Sequence, residues 1–111
     1  MRTLFKGGTV VSGQGTRPGD VLVEGVTISA VGTNLSASGA QIVDCAGKLL
    51  FPGFIDAHTH FDLAVAGTVT ADDFATGSRA ALRGGTTTVI DYAAPDKGET
   101  LAYGLAKWRE K

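Results

Sequence analysis

The chain has 111 residues, a formal net charge of −1 and a charged fraction of 19%. This balance gives no basic patch for nucleic acid, and no stretch approaches the roughly 20 apolar residues that a bilayer-spanning helix needs. The single cysteine, Cys45, excludes an intrachain disulfide and is expected to be a small buried residue. Since the N-terminus also lacks an apolar signal segment, the sequence predicts a cytoplasmic protein that binds neither nucleic acid nor membrane.

The part of the chain before Pro52 has the pattern of short β-strands. Apolar and β-branched runs alternate with clusters of glycine, proline and asparagine, which is typical of strands joined by tight turns. Strands are predicted at residues 9–11, 20–23, 26–31, 41–43 and 48–51. Turns are predicted at 12–15, 18–19 (Pro-Gly) and 32–34, with a tight hairpin at 24–25 (Glu-Gly). Residues 1–51 are therefore predicted to form part of a small β-sandwich.

After Pro52 the pattern changes to alternating strands and helices. Residues 54–60 and 86–92 are predicted strands, and the second is β-branched and apolar, as in a buried parallel strand. Between them we expect a helix with Thr70 as its N-cap and acidic residues in its first turn, ending at Gly84-Gly85. A second helix is predicted from Glu99, with Leu101, Leu105 and Trp108 on one apolar stripe. This order indicates two units of a parallel α/β fold over residues 52–111.

Two histidines close the first strand of this second part. Residues i and i+2 of a β-strand point to the same face, so His58 and His60 can converge on one metal ion. Asp56, two residues earlier, can orient or support the pair. Working residues of (β/α) barrels lie at the C-terminal ends of strands, and imidazole suits zinc, iron, nickel or copper. The pattern therefore predicts His58 and His60 as metal ligands.

The residues around the histidines resemble a known family. Residues 52–60, Pro-Gly-Phe-Ile-Asp-Ala-His-Thr-His, are similar to the metal-binding strand of the amidohydrolase superfamily, and residues 44–48 fit that superfamily too. Residues 61–63, 67–74 (Gly-Thr-Val-Thr-Ala-Asp-Asp-Phe) and 84–91 resemble its dihydropyrimidinase and hydantoinase branch, the cyclic amidases. The resemblance implies an α/β fold that is the start of a metal-dependent (β/α)8 TIM-like barrel, preceded by part of a small β-sandwich domain.

Length limits how much of such an enzyme this chain can supply. An eight-stranded barrel takes about 250 residues, whereas the chain has 111. We expect an N-terminal fragment, with a β-sandwich portion at 1–51 and the first two βα units of an incomplete barrel at 52–111. Taken alone, the fragment is expected to be inactive, because its strands would keep unpaired edges and its metal site would be incomplete.

The resemblance also implies a reaction and a cofactor. The reaction is hydrolytic opening of a cyclic ureide, such as a dihydropyrimidine or a 5-substituted hydantoin, to an N-carbamoyl amino acid. The cofactor is a pair of divalent metal ions, zinc by expectation, bridged by a carbamylated lysine that lies outside this chain. Two further histidines and a proton-transferring aspartate would also lie outside it, so no catalytic residue is predicted within the segment. By resemblance, the protein is expected to be a homo-oligomer, a tetramer.

The apolar residues 63–66 directly follow the ligand strand. They can simply pack, but in hydantoinases, which this segment resembles, the corresponding loop lines the pocket for the exocyclic substituent of the substrate. Leu63 and Val65 are therefore candidate substrate-binding residues. Asp62 can contact a substrate or metal, but a hydrogen-bonding role of its carboxylate in the loop is favoured. Asp91, at the end of the second strand, is expected to support the site in preference to a catalytic role.

Two alternatives remain at the level of the sequence. Allantoinases and dihydroorotases share the His-x-His strand, and only residues 67–74 favour the hydantoinase branch over them. Some dihydropyrimidinase-like proteins are non-catalytic assembly proteins that have lost metal ligands. The presence of both His58 and His60 argues against that second alternative.

Overall fold

Nine strands and two helices make up the chain, and the computed structural model describes all 111 residues. The chain divides into two units, Met1–Pro52 and Gly53–Lys111. The predicted domain bounds, 1–51 for the β-sandwich portion and 52–111 for the first two βα units of an incomplete barrel, stay a prediction. The elements are β1 (Arg2–Ser12), β2 (Gly15–Glu24), β3 (Thr27–Gly32), β4 (Gln41–Asp44), β5 (Leu49–Leu50), β6 (Phe54–Thr59), β7 (Ala64–Val65), β8 (Thr68–Val69), α1 (Phe74–Arg83), β9 (Thr86–Asp91) and α2 (Leu101–Trp108).

The first unit is a single sheet built around its longest strand, β1. The strand order is β3-β2-β1-β4, and the short β5 also pairs with β1. β1 runs antiparallel to β2 and parallel to β4 and β5. The buried apolar side chains of the first unit are Leu4, Leu22 and Cys45, so the thiol is buried as predicted. No candidate site residue lies in this sheet.

Of two turns predicted in the first unit, one is present and the other lies inside a strand. Glu24 pairs with Thr27, and Gly25 with a φ of 61° opens a two-residue hairpin, which confirms the predicted tight turn. The predicted turn at Pro18-Gly19 is wrong, because both residues lie inside β2. β3 pairs with β2 only from Asp20 onward. At Pro18, β2 is therefore paired with β1 only. The edge of β2 that faces away from β1 has no partner strand there, so the missing N–H of proline breaks no hydrogen bond on that edge.

Asp20 is the one buried carboxylate of this sheet, with 4% of its surface exposed. Its Oδ1 accepts a hydrogen bond from the main-chain N–H of Gly7 at 2.7 Å, and its Oδ2 accepts one from that of Leu35 at 2.9 Å. The N–H of Gly7, followed by that of Leu35, lowers the pKa of Asp20 against the opposing effect of burial. The carboxylate thus joins β1 to the segment after β3.

The second unit contains a strand–helix–strand unit with parallel strands. β6 and β9 pair in parallel, joined through α1, and α2 follows. The register shifts twice, between Phe54 and Ile55 and between Asp56 and Thr59. The second shift places one more residue in β6 than in β9, in the stretch that contains His58. Both predicted strands and both predicted helices are present, with bounds that differ by a few residues.

The start of α1 differs from the prediction. Asp73, and not Thr70, is the N-cap. Its Oδ1 accepts a hydrogen bond from the Thr76 N–H at 2.7 Å, and the Thr76 hydroxyl accepts one from the Asp73 N–H at 3.1 Å, a reciprocal capping box. The first turn of α1 contains no acidic residue. Thr70 lies three residues before this N-cap, and its hydroxyl accepts a hydrogen bond from the main-chain N–H of Leu63 at 2.9 Å. The predicted end is confirmed, since Gly84 is the C-cap and Gly85 has a φ of 87°.

The segment predicted as an apolar loop is in part a small β-hairpin. Ala64 and Val65 of β7 pair with Val69 and Thr68 of β8. Ala66 and Gly67 form the turn with φ values of 50° and 77°. Patterning missed this hairpin because each strand has only two residues.

An aromatic cluster forms the interior of the second unit. Phe61 and Trp108 lie on either side of Phe74 with ring centroids 5.3 and 5.5 Å away, both edge to face. The predicted stripe on α2 is only partly correct, since Trp108 belongs to this cluster but the Leu101 side chain is 80% exposed. The buried residue of α2 is Gly104, which lies against Pro95.

Neither α1 nor α2 has the length and apolar character that a membrane-crossing helix requires.

Candidate metal site

The two histidines converge at the end of β6, as the sequence predicts. The Nε2 atoms of His58 and His60 lie 3.0 Å apart, with ring centroids at 4.9 Å and an interplanar angle of 67°. Both side chains are exposed. The contact between the Nε2 atoms is the one hydrogen bond that either ring makes within this chain, so each Nδ1 has no partner here.

Asp56 supports this geometry through the backbone. Its Oδ1 accepts a hydrogen bond from the main-chain N–H of His58 at 3.1 Å. The bond spans the register shift between Asp56 and Thr59, where the ladder with β9 is interrupted. Bulges of this kind re-aim side chains at functional sites. Asp56 therefore contacts the strand and not an imidazole, and its supporting role stays a prediction.

Tyr92, the residue after β9, lies against the histidine pair. Its ring stacks on that of His58, with a centroid distance of 4.3 Å and an interplanar angle of 21°. The His60 ring is 5.8 Å away and tilted by 49°. The main-chain N–H of Tyr92 donates to the Thr59 carbonyl at 3.1 Å, which continues the pairing of the strands past the end of β9. The sequence analysis placed Tyr92 in a strand but assigned it no role.

Asp91 binds the backbone and side chains on both sides of His60. Its Oδ1 accepts hydrogen bonds from the Phe61 N–H at 2.8 Å and the Thr59 hydroxyl at 3.0 Å. Its Oδ2 accepts one from the Trp108 indole N–H at 2.6 Å. Partial burial alone would raise the pKa of Asp91, but the hydrogen bonds from Trp108, Phe61 and Thr59 outweigh it and lower the pKa. The supporting role of Asp91 stays a prediction with which these contacts agree, and Trp108 is a partner that the sequence did not indicate.

The candidate substrate residues lie beside a cavity of about 310 Å³ in the second unit. Leu63, Val65, Tyr92 and Trp108 all contribute to its lining, whereas neither histidine does. Val65 is 50% exposed. Asp62, which lies between the histidines and β7, has a φ of 50°, and its main-chain N–H donates to the Asp72 carbonyl at 2.9 Å. Its carboxylate, predicted to form a hydrogen bond, makes none within this chain. The structure therefore places Leu63 and Val65 at a cavity next to the pair without bringing them into contact with it.

The residues present fit part of a metal site. With 3.0 Å between them, both Nε2 atoms can lie about 2.0–2.1 Å from one ion, the usual zinc–nitrogen distance. No group of three or more His, Cys, Asp or Glu side chains in the chain is arranged to hold a metal. A catalytic zinc usually has three protein ligands. His58 and His60 therefore suit two positions of a ligand set that needs further members.

Known proteins similar to this chain include hydantoinases and dihydropyrimidinases. The chain is 44% identical over all its 111 residues to a D-hydantoinase of Geobacillus stearothermophilus, of which it covers 24%. It is 43% identical over 113 residues to a dihydropyrimidinase of Rattus norvegicus, with 97% of this chain and 22% of the relative covered. The chain thus spans about a quarter of the length of these relatives.

Comparisons with solved structures and with a family model identify the same kind of protein as these relatives. The crystal structure of dihydropyrimidinase from Brevibacillus agri matches with a TM-score of 0.89 at 44% identity, covering 99% of this chain and 24% of that one. A crystal structure of D-hydantoinase matches with a TM-score of 0.88 at 42% identity, with the same coverage. The predicted fold, the start of a (β/α)8 barrel preceded by part of a small β-sandwich, is confirmed. The amidohydrolase family model matches residues 49–107, which is more than half of this chain. The chain therefore belongs to the amidohydrolase family.

Proposed function

We propose that this chain belongs to a metal-dependent hydrolase that opens cyclic amides, dihydropyrimidines or 5-substituted hydantoins, to N-carbamoyl amino acids. The observation that carries the proposal is the convergence of the His58 and His60 Nε2 atoms to 3.0 Å at the end of a strand. The chain's identity of 44% to a D-hydantoinase supports the choice of substrate class.

His58 and His60 are proposed to be metal ligands. When bound, zinc supplies Lewis acidity toward an amide carbonyl and lowers the pKa of a water ligand to about 7. Amidohydrolases are generally metal-dependent. The finer assignment, two divalent ions bridged by a carbamylated lysine outside this chain, rests on the family resemblance alone. The part played by this chain's own residues is to present two imidazoles on a strand end that Asp56 and Asp91 hold in shape.

Leu63 and Val65 are proposed to contact the exocyclic substituent of the ring substrate. Their position at the lining of the 310 Å³ cavity supports this role. A homo-oligomeric state, a tetramer, and a cytoplasmic location are also proposed. The first rests on the resemblance, and the second on the low cysteine content of the chain.

The metal assignment is tested by His58→Ala and His60→Ala in the full-length protein, with the exposed loop variant Gln14→Ala as a control. Each histidine variant is expected to lose most of its bound zinc by elemental analysis, and with it the hydrolysis of dihydrouracil and hydantoin. Gln14→Ala should match the parent protein in both measurements. Full zinc content in a folded His58→Ala or His60→Ala variant would contradict the ligand assignment.

The pocket assignment is tested by the selectivity among 5-substituted hydantoins. One methylene in an apolar pocket is worth about 1–3 kcal/mol of discrimination. Leu63→Ala and Val65→Ala should therefore change the ratio of kcat/KM between large and small substituents by about ten-fold or more, while the rate on unsubstituted hydantoin changes less. An unchanged ratio across the panel would show that these residues only pack.

A further inference from the structure

We infer that Tyr92 is a positioning residue, whose ring holds the imidazole of His58 in the orientation that directs its Nε2 toward that of His60. The inference rests on the proposed metal-binding function and extends it to the residue that follows β9. The two rings are nearly parallel, at 21°, and their centroids lie 4.3 Å apart.

His58 needs such a contact because little else in this chain fixes its ring. The side chain is exposed, and its Nδ1 makes no hydrogen bond with the residues described. A histidine that binds a metal usually donates its other ring N–H to a carboxylate or carbonyl, which sets the ring orientation. Here a face-to-face aromatic contact takes that place and restricts rotation about the side-chain bonds. The His58 side chain then loses less conformational entropy when a metal binds.

Tyr92 is itself well placed to act as a fixed surface. Its main-chain N–H donates to the Thr59 carbonyl, so its backbone is tied to the residue that follows His58. Asp91, the residue before it, holds Thr59 and Phe61 through its carboxylate. The ring of Tyr92 therefore moves with the histidine strand.

The contacts of Tyr92 with both histidines are made by its ring and not by its hydroxyl. This distinction gives a sharp comparison between substitutions. Tyr92→Phe keeps the stacked ring, whereas Tyr92→Leu removes it and keeps an apolar side chain. Tyr103→Leu is a matched control, because Tyr103 is a half-exposed tyrosine of α2 whose ring contact is with Lys107 at 5.6 Å.

The experiment measures zinc affinity of the full-length protein by competition with a chromophoric chelator, and the visible absorption of the cobalt-substituted form. Substituting a residue that orients a metal ligand typically costs about 10–100-fold in metal affinity. Tyr92→Leu is expected to weaken zinc binding by about ten-fold and to alter the cobalt spectrum. Tyr92→Phe and Tyr103→Leu are expected to retain both properties. If a thermal melt shows that Tyr92→Leu does not fold, Tyr92→Met, a flexible apolar side chain, replaces it.

The outcomes separate this inference from the proposed function. If His58→Ala loses zinc while folded Tyr92→Leu or Tyr92→Met binds it as the parent protein does, the positioning role is overturned and the ligand assignment stands. If Tyr92→Phe is as defective as Tyr92→Leu, the hydroxyl and not the stacked ring matters, and the inference is again overturned. If His58→Ala retains zinc, the proposed function fails and the inference fails with it.

Discussion

Replacing Asp91 with asparagine tests whether its carboxylate fixes the strand end that carries the histidines. Oδ1 of the new amide can still accept from the Phe61 N–H and the Thr59 hydroxyl, which lie 2.8 and 3.0 Å from that atom in the parent structure. The amide NH₂ would then face the Trp108 indole N–H across 2.6 Å, and two donors cannot bond. Flipping the amide restores the bond to Trp108 but sets the NH₂ against the Phe61 N–H.

The size of the effect follows from these alternatives. In either orientation at least one charge-assisted hydrogen bond is lost, and bonds to charged groups contribute about 1.5–3 kcal/mol each. Asp91 is only partly buried, so water can reach a group left without a partner, and we expect the lower end, about 1.5 kcal/mol. Trp108→Phe removes the indole donor. Combined with Asp91→Asn it should cost less than the sum of the two single changes, because the donor–donor contact is then absent.

The assay is the urea midpoint of the full-length protein and of the two single variants and the double variant. Asp96→Asn is the matched control, since that carboxylate is 81% exposed and its ion pair with Lys107 spans 3.4 Å. Exposed pairs of this kind contribute about 0–1 kcal/mol. The reasoning would be refuted if Asp91→Asn were no more destabilising than Asp96→Asn, or if the changes at Asp91 and Trp108 were simply additive.

Two further predictions concern packing and pH. A methyl group at Gly77 would overlap the Phe61 ring, so Gly77→Ala should lower the free energy of unfolding by about 1–3 kcal/mol and weaken zinc binding. Gly13→Ala, with no atom within 4 Å of the new methyl, should change stability by less than about 0.5 kcal/mol, and equal stability of the two would refute the overlap. Because the folded-state pKa of Asp91 is lowered from 3.8, its contribution is fully present well above pH 3.8 and is lost as the pH falls through the folded-state value. The difference in urea midpoint between the parent protein and Asp91→Asn should therefore shrink on acidification, and a constant difference would contradict this linkage.

Elements with strong local patterns were predictable from the sequence. Gly84-Gly85 ends α1 because Gly85 adopts a φ of 87°, which few other residues tolerate. The β-branched run at residues 86–91 forms β9 as expected. Features that depend on a partner distant in the chain were not predictable. Pro18 lies within a strand because β3 stops short of it, and no property of the dipeptide Pro18-Gly19 reveals where β3 ends.

The same division applies to the candidate site. The convergence of His58 and His60 could be predicted, because it depends on a two-residue spacing within one strand. The spacing alone did not reveal the register shift between Asp56 and Thr59, which is a property of the pair β6 and β9. The stacked ring of Tyr92 was missed for a related reason. An aromatic residue at the end of the next parallel strand was a usable signal, since the ends of parallel neighbours lie at the same edge of a sheet.

The geometry at the candidate site is therefore a property of the strand–helix–strand unit rather than of the His-x-His motif. His58 is contacted by a ring from the residue after β9, and His60 lies between two residues that Asp91 of β9 binds. Asp91 in turn accepts from Trp108 of α2, which packs on the first residue of α1. Each of these contacts fixes backbone or ring position without occupying a nitrogen of either imidazole. The sequence around the histidines supplies the ligand chemistry, and residues more than 30 positions later supply the orientation, because parallel pairing brings the two strand ends together.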